Sequence, residues 1–213
     1  MLCGPLKVAI DQGARMHFEI RAAMNCPHDL TDAPTNIKVG AALCRLAVNH
    51  GRGLTVLMKE IIPSSAATLL RPQREVLLRA VWAYSLASEA QLEMLVNWAD
   101  ERTNAEPDFP KMHEIIDAMQ GRSDLTAIRD SLVAIQTLFR RHMHSHPHGG
   151  LRAIQQVMGG GFDPLLAVNY LKACSAQSYL AAKYAAQILE DGEMARNVAR
   201  ITVWPGDWLI EKW

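Results

Sequence analysis

Apolar side chains recur at three- and four-residue spacing along most of this chain, and short alternating Val, Ile and Thr runs bounded by turns are hard to find. A segment patterned for one face of a helix cannot bury that same set as a strand, so the spacing predicts an all-α helical bundle. Helices are expected at about residues 6–24, 35–62, 64–87, 88–100, 112–119 and 125–144. A brief one is expected between the glycine stops of GGLRAIQQVMGGG, and a long last one runs from Asp163-Pro164 to about Asp191. Thr35 and Ser88 stand where side chains cap helix starts, while Gly51 and Gly53 should weaken or bend the second helix. The tail, residues 203–213, carries Trp204, Trp208 and Trp213 and is expected to dock on the body or on a second subunit.

The 213 residues suit one helical domain spanning 1–213, with hydrophobic content sufficient for a sizeable core. Twenty-two basic and twenty-two acidic side chains cancel, which removes the global attraction of a nonspecific nucleic-acid or membrane-surface binder and leaves only local patches to hold a polyanion. Cys3, Cys26, Cys44 and Cys174 lack CxxC spacing, so neither a zinc ribbon nor a disulfide framework is written, and a reducing cytoplasm fits. No run of about 18 apolar residues and no basic-then-apolar leader occurs, so a protein off the membrane is expected. No cofactor is expected.

The third helix contains LLRPQREVLLRAVW, in which Arg71, Glu75, Arg79 and Trp82 form one stripe by i,i+4 and i,i+3 spacing. Leu77, Leu78, Val76, Val81 and Ala80 cover most of the remaining circumference, so the helix reads as central and its charges as partnered. Glu75 is expected between Arg71 and Arg79, unless one arginine reaches another helix, and Pro72 should either start the helix or kink it. The stripe has two readings: a structural ion-pair ladder, or a polar pocket holding an anion, with Glu75 orienting the arginines. If the ladder is buried, removing Glu75 should cost about 3 kcal/mol.

FRRHMHSHPHGG, from Phe139 to Gly150, places four of the eight histidines at alternate positions behind two arginines. Pro147 should end the helix just before His146, and His148, Gly149 and Gly150 form the turn. No Asp or Glu occurs from Ser131 through Phe162, so this is the electropositive segment of a neutral chain. It has three readings. Metal binding is disfavoured because alternate spacing scatters imidazoles as the helix ends, and no HExxH or ExxH accompanies them. A helix terminus whose His and Arg complement the macrodipole is a common arrangement without activity. The third reading is catalytic. Metal-independent RNA cleavage needs a base for the 2′-hydroxyl, a donor to the leaving oxygen and positive charge on the phosphate, all within reach of His and Arg.

Arg141 precedes His146 by five residues and His148 by seven, the R-x4-6-H spacing of HEPN-superfamily nucleases, which this segment resembles. That resemblance implies a HEPN-like bundle and a metal-independent ribonuclease, active or inactive, in phage defence or a toxin system. Its catalytic residues would be Arg141, His146 and His148, acting on RNA or another phosphate-bearing ligand in a homodimer. LLRPQREVLLRAVW, the Phe109-Pro110 connector and SHPHGG together resemble, from about Leu54 to Leu189, a bacterial family of uncharacterised helical proteins with an Arg-Pro-x-x-Glu-x-x-x-Arg-x-x-Trp helix and a His-Gly-Gly turn. This second resemblance implies that Arg71, Glu75, Arg79, Trp82 and His148 belong to one constellation, with Gly149 and Gly150 beside it as ligand-binding positions. A non-catalytic anion-binding protein and a purely structural dimer remain the rival functions.

Overall fold

A computed structural model describes residues 4–25, 28–98, 109–145, 158 and 162–201, with the side chains of 97–98 and 138–145 excepted. Among the described residues there is no strand, and the helices are α1 (Gly4–Met24), α2 (Thr35–Lys59), α3 (Pro63–Thr68), α4 (Leu70–Ser85), α5 (Glu89–Trp98), α6 (Met112–Ala118), α7 (Thr126–Ser145), α8 (Pro164–Ile188) and α9 (Gly192–Ala199), with a 3₁₀ turn at Ser123–Leu125. The expected all-α architecture is therefore observed. None of these helices is long and apolar enough to cross a membrane.

Several boundaries follow from local chemistry. Asp163 accepts a hydrogen bond from the Leu165 amide at 2.9 Å while Pro164 occupies the first helical position, where its missing N–H is not needed. Ser88 accepts from Gln91 N, and Gln91 Oε1 accepts from Ser88 N at 2.9 Å, a reciprocal cap at the start of α5. Thr35 does not cap α2: Pro34 holds that position with no side-chain bond. The helix expected over 64–87 is two, since the chain breaks at Leu69, and Pro72 sits in the first turn of α4 instead of kinking its middle.

Two helix ends, expected near residues 62 and 191, come three residues earlier, at Lys59 and Ile188, and are closed without glycine. After α2, Ile61 adopts φ +60°, its amide donates to Met58 O at 3.2 Å, and the Ile62 amide donates to Leu57 O at 2.9 Å. After α8, Glu190 adopts φ +50°, with Asp191 N donating to Ala186 O at 3.0 Å. Both are Schellman closures built on residues that ordinarily avoid left-handed backbone. Asp191 then caps α9, a helix not anticipated from sequence, by accepting from Glu193 N and Met194 N.

Buried side chains form a contiguous core in which α8 is covered on nearly every side; its alanines at 173, 176, 181, 182, 185 and 186 let neighbouring backbones approach. α2 lies against both α4 and α8, α1 packs on α8, and α6 and α7 pack on α4. The expected central helix, α4, thus shares the core with α8. Gly51 and Gly53 lie within α2, which continues without a break.

Candidate functional site

The arginines of α4 divide by face. Arg71 Nε donates to Glu75 Oε1 at 2.7 Å, with both side chains about a quarter exposed. Arg79 does not complete a ladder through Glu75 among the described contacts: its guanidinium lies 4.4 Å from the centroid of the Phe109 ring. Trp82 meets the same ring edge-on, centroids 5.8 Å apart. The stripe therefore resolves into an ion pair and an Arg79–Phe109–Trp82 cluster that pins the connector before α6. Arg71, Glu75, Arg79 and Trp82 share this face of α4. Arg141 lies within α7, whose backbone helix extends through Ser145, but its side chain is outside the described residues, as are His146, His148, Gly149, Gly150 and the tail tryptophans. The expected junction between the α4 stripe and the His-Gly-Gly turn falls outside the described residues.

The truly buried charge on α4 is one that sequence reading passed over. Arg74 is 2% exposed and sits among Leu70, Leu77 and Leu78. Its guanidinium donates to Leu132 O at 3.3 Å, to Gln136 Oε1 at 2.5 Å and to Met112 Sδ at 3.3 Å, so it ties α4 to α6 and α7 through neutral acceptors. Burial lowers its pKa to about 10, with the Glu75 charge pulling the other way. The signal was present: Arg74 stands four residues from both Leu70 and Leu78, on an apolar face.

Next to it, Gln73 enters a second polar layer between α1, α2, α4 and α8. His17 Nδ1 lies 2.8 Å from Gly13 O, which can only accept, so that nitrogen carries the proton and donates. Nε2 is then the acceptor, and Ser178 Oγ donates to it at 2.9 Å. Gln73 Nε2 donates to Ser178 Oγ and to Cys174 O, both at 2.9 Å, and Thr55 Oγ1 donates to Gly51 O at 3.2 Å. Gly51 is required here by space rather than backbone freedom: a Cβ would stand 2.2 Å from Ser178 Oγ and 2.5 Å from Gln73 Nε2. Burial lowers the His17 pKa to about 4, the bond to Gly13 opposing and the Arg52 charge adding to the fall, so the imidazole is neutral at physiological pH. The Ser178–His17 pair has the connectivity of an activated nucleophile, yet Ser178 is fully buried beneath the imidazole and meets no solvent. Its chemistry is that of a rigid crosslink. Burial also pushes the Cys174 thiol up to about 12 and the Cys44 thiol upward, so neither is a nucleophile at neutral pH.

Above this layer, α1 and α2 enclose a cleft of about 260 Å³. His17 and Thr55 contribute its floor, Phe18 and Val56 its apolar walls, and Arg21, Arg52 and Lys59 its charge; no acidic residue lines it. Phe18 is 74% exposed. A second cavity, about 280 Å³, lies where α1 and α2 meet α8 and α9, but there the Lys38 ammonium is held by Thr31 O at 2.6 Å and His28 by Asp191 at 3.0 Å. Among the described residues no three His, Cys, Asp or Glu side chains gather as a metal ligand set.

No curated protein and no solved structure matches the chain. A family model matches from within α2 through α4, α7, α8 and α9, leaving α1 with His17 and Arg21 outside. Because that model spans residues 44–208, well over half of the sequence, the chain belongs to the family of unknown function DUF6988.

Proposed function

We propose that this protein binds a phosphate-bearing ligand at the end of α7 and at residues 146–150, and that it works there as a HEPN-like, metal-independent ribonuclease in a cytoplasmic defence or toxin system. The observation carrying this reading is the charge pattern at that helix end. Arg140, Arg141, His142 and His144 occupy the last turns of α7, inside a stretch from Ser131 to Phe162 that has no carboxylate. Arg141 supplies charge for a pentavalent phosphate, and His146 and His148 supply the base and acid. Arg71, Glu75, Arg79, Trp82, Gly149 and Gly150 serve as ligand-binding positions, and two copies face their histidine ends together, since one Arg and one His seldom hold both the attacking and the leaving oxygen.

The test is single-stranded RNA incubated with purified protein in EDTA. Cutting that leaves cyclic or 3′-phosphate ends is expected, with Arg141→Ala abolishing it and His148→Ala or His146→Ala slowing it by about 100-fold or more. His142→Ala and His144→Ala should matter little. RNA left intact by excess protein, with and without metal, ends the nuclease reading. The cationic cleft between α1 and α2 favours a second reading, non-catalytic capture of an anionic ligand.

A further inference from the structure

We propose that the cleft between α1 and α2 is a binding site for a small phosphate monoester bearing an aromatic ring, of mononucleotide size. It uses residues other than Arg141, His146 and His148 and does not depend on the ribonuclease reading.

Four features carry the assignment. The first is charge: Arg21, Arg52 and Lys59 line one cavity that contains no acid, and none of the three makes an ion pair among the described residues. By contrast Arg15, Arg71, Arg122 and Arg129 each hold a nearby carboxylate. Unpaired cations converging on a concave surface favour an anion, and two guanidiniums can each fork onto phosphate oxygens.

The second feature is placement. Arg52, Val56 and Lys59 follow one another at four and three residues along α2, and Phe18 and Arg21 do so at three along α1, so each helix offers the cleft an apolar residue next to a cation. A ligand with a phosphate at one end and a ring at the other matches this pairing, the ring stacking on exposed Phe18.

The third is size. About 260 Å³ is just under the range of roughly 300–1,000 Å³ common for small-molecule sites, which suits a mononucleotide and excludes enclosure of a longer chain. The fourth is rigidity. The floor is pinned by His17, bonded to Gly13 O and Ser178 Oγ, and by Thr55, whose Oγ1 bonds Gly51 O and lies 3.4 Å from His17 Nδ1, so a polar contact joins α1 to α2 before any ligand arrives.

Calorimetry of the full chain with adenosine 5′-monophosphate, inorganic phosphate and adenosine tests the proposal. The monophosphate should bind at least about ten-fold more tightly than either fragment. Arg21→Ala and Arg52→Ala should each weaken it by roughly ten-fold or more. Phe18→Ala should weaken the monophosphate while leaving inorganic phosphate unchanged. All three side chains are exposed, and unchanged melting temperatures should show that the variants remain folded. Arg141→Ala should leave this binding intact even if it abolishes RNA cutting. Absence of heat with the monophosphate, or an affinity unchanged by Arg52→Ala, overturns the proposal. Phosphate alone binding as tightly overturns the aromatic part, and loss of binding in Arg141→Ala moves the ligand to α7.

Discussion

Arg71 and Arg74 lie three residues apart on one helix and use the same guanidinium in opposite ways. Arg71 stays partly in solvent and pairs with Glu75 one turn on, an interaction that any isolated helix of this sequence could form. Arg74 is withdrawn from solvent and bonds to a carbonyl, an amide oxygen and a thioether on α6 and α7, none of which offsets its charge. The first contact is local and screened, the second long-range and desolvated. A charge pattern on a helix wheel therefore says little about energy until the packed neighbours are known.

The largest expected effect comes from Arg74→Ala, which removes the stem from the core and orphans acceptors on two other helices. A loss of about 3–4 kcal/mol in urea unfolding is expected, against about 1 kcal/mol or less for Arg71→Ala. Equal losses would erase the distinction between the two arginines. Gly51→Ala follows closely, at about 3 kcal/mol, because its methyl must displace Ser178, Gln73 and His17 together. Gly53→Ala, whose Cβ would meet only the end of the Leu69 side chain at 3.2 Å, should cost far less, and a similar loss at both positions would remove the polar layer as the cause.

An intermediate effect is expected with pH. The folded pKa of His17, about 4, lies below its unfolded value of about 6.5, so the unfolded chain takes up the proton first. Stability is full above pH 6.5 and declines as pH falls toward 4. Roughly 2 kcal/mol should disappear between pH 7.5 and 5. His17→Gln should flatten that part of the profile relative to the native protein, and identical slopes would place the titration elsewhere. The smallest effects are those of the two partners in one ion pair, Arg71→Ala and Glu75→Ala. With the Glu75 side chain about a quarter exposed, its loss should be near 1 kcal/mol instead of the roughly 3 kcal/mol that burial would have implied. A larger drop in melting temperature than for Arg74→Ala would reverse the ordering of the two faces.

Much of the bundle was legible because it is written in local terms. The apolar period placed α1, α5, α6 and α7 to within about two residues, and the Asp163-Pro164 start of α8 follows from a cap whose partners are adjacent in sequence. The Arg71–Glu75 pair was legible for the same reason. What the sequence did not show was how two of the helices close, and the helix α9 itself. Glycine-free stops at Ile61 and Glu190 depend on strain that packing sustains, and α9 depends on Asp191 being released from α8 to cap it.

The sequence by itself determined the helical class, the neutral charge balance, the acid-free stretch around the histidines and the short-range pairs, since each is set by residues within a turn or two of one another. Only the tertiary structure decided which polar residues are buried. Ser178 and His17 are 161 positions apart and Gln73 and Cys174 are 101 apart, and no periodicity within a single helix specifies such a meeting. It likewise decided that Arg21 of one helix would share a cleft with Arg52 and Lys59 of another, because a pocket between helices exists only once both have packed on the same core.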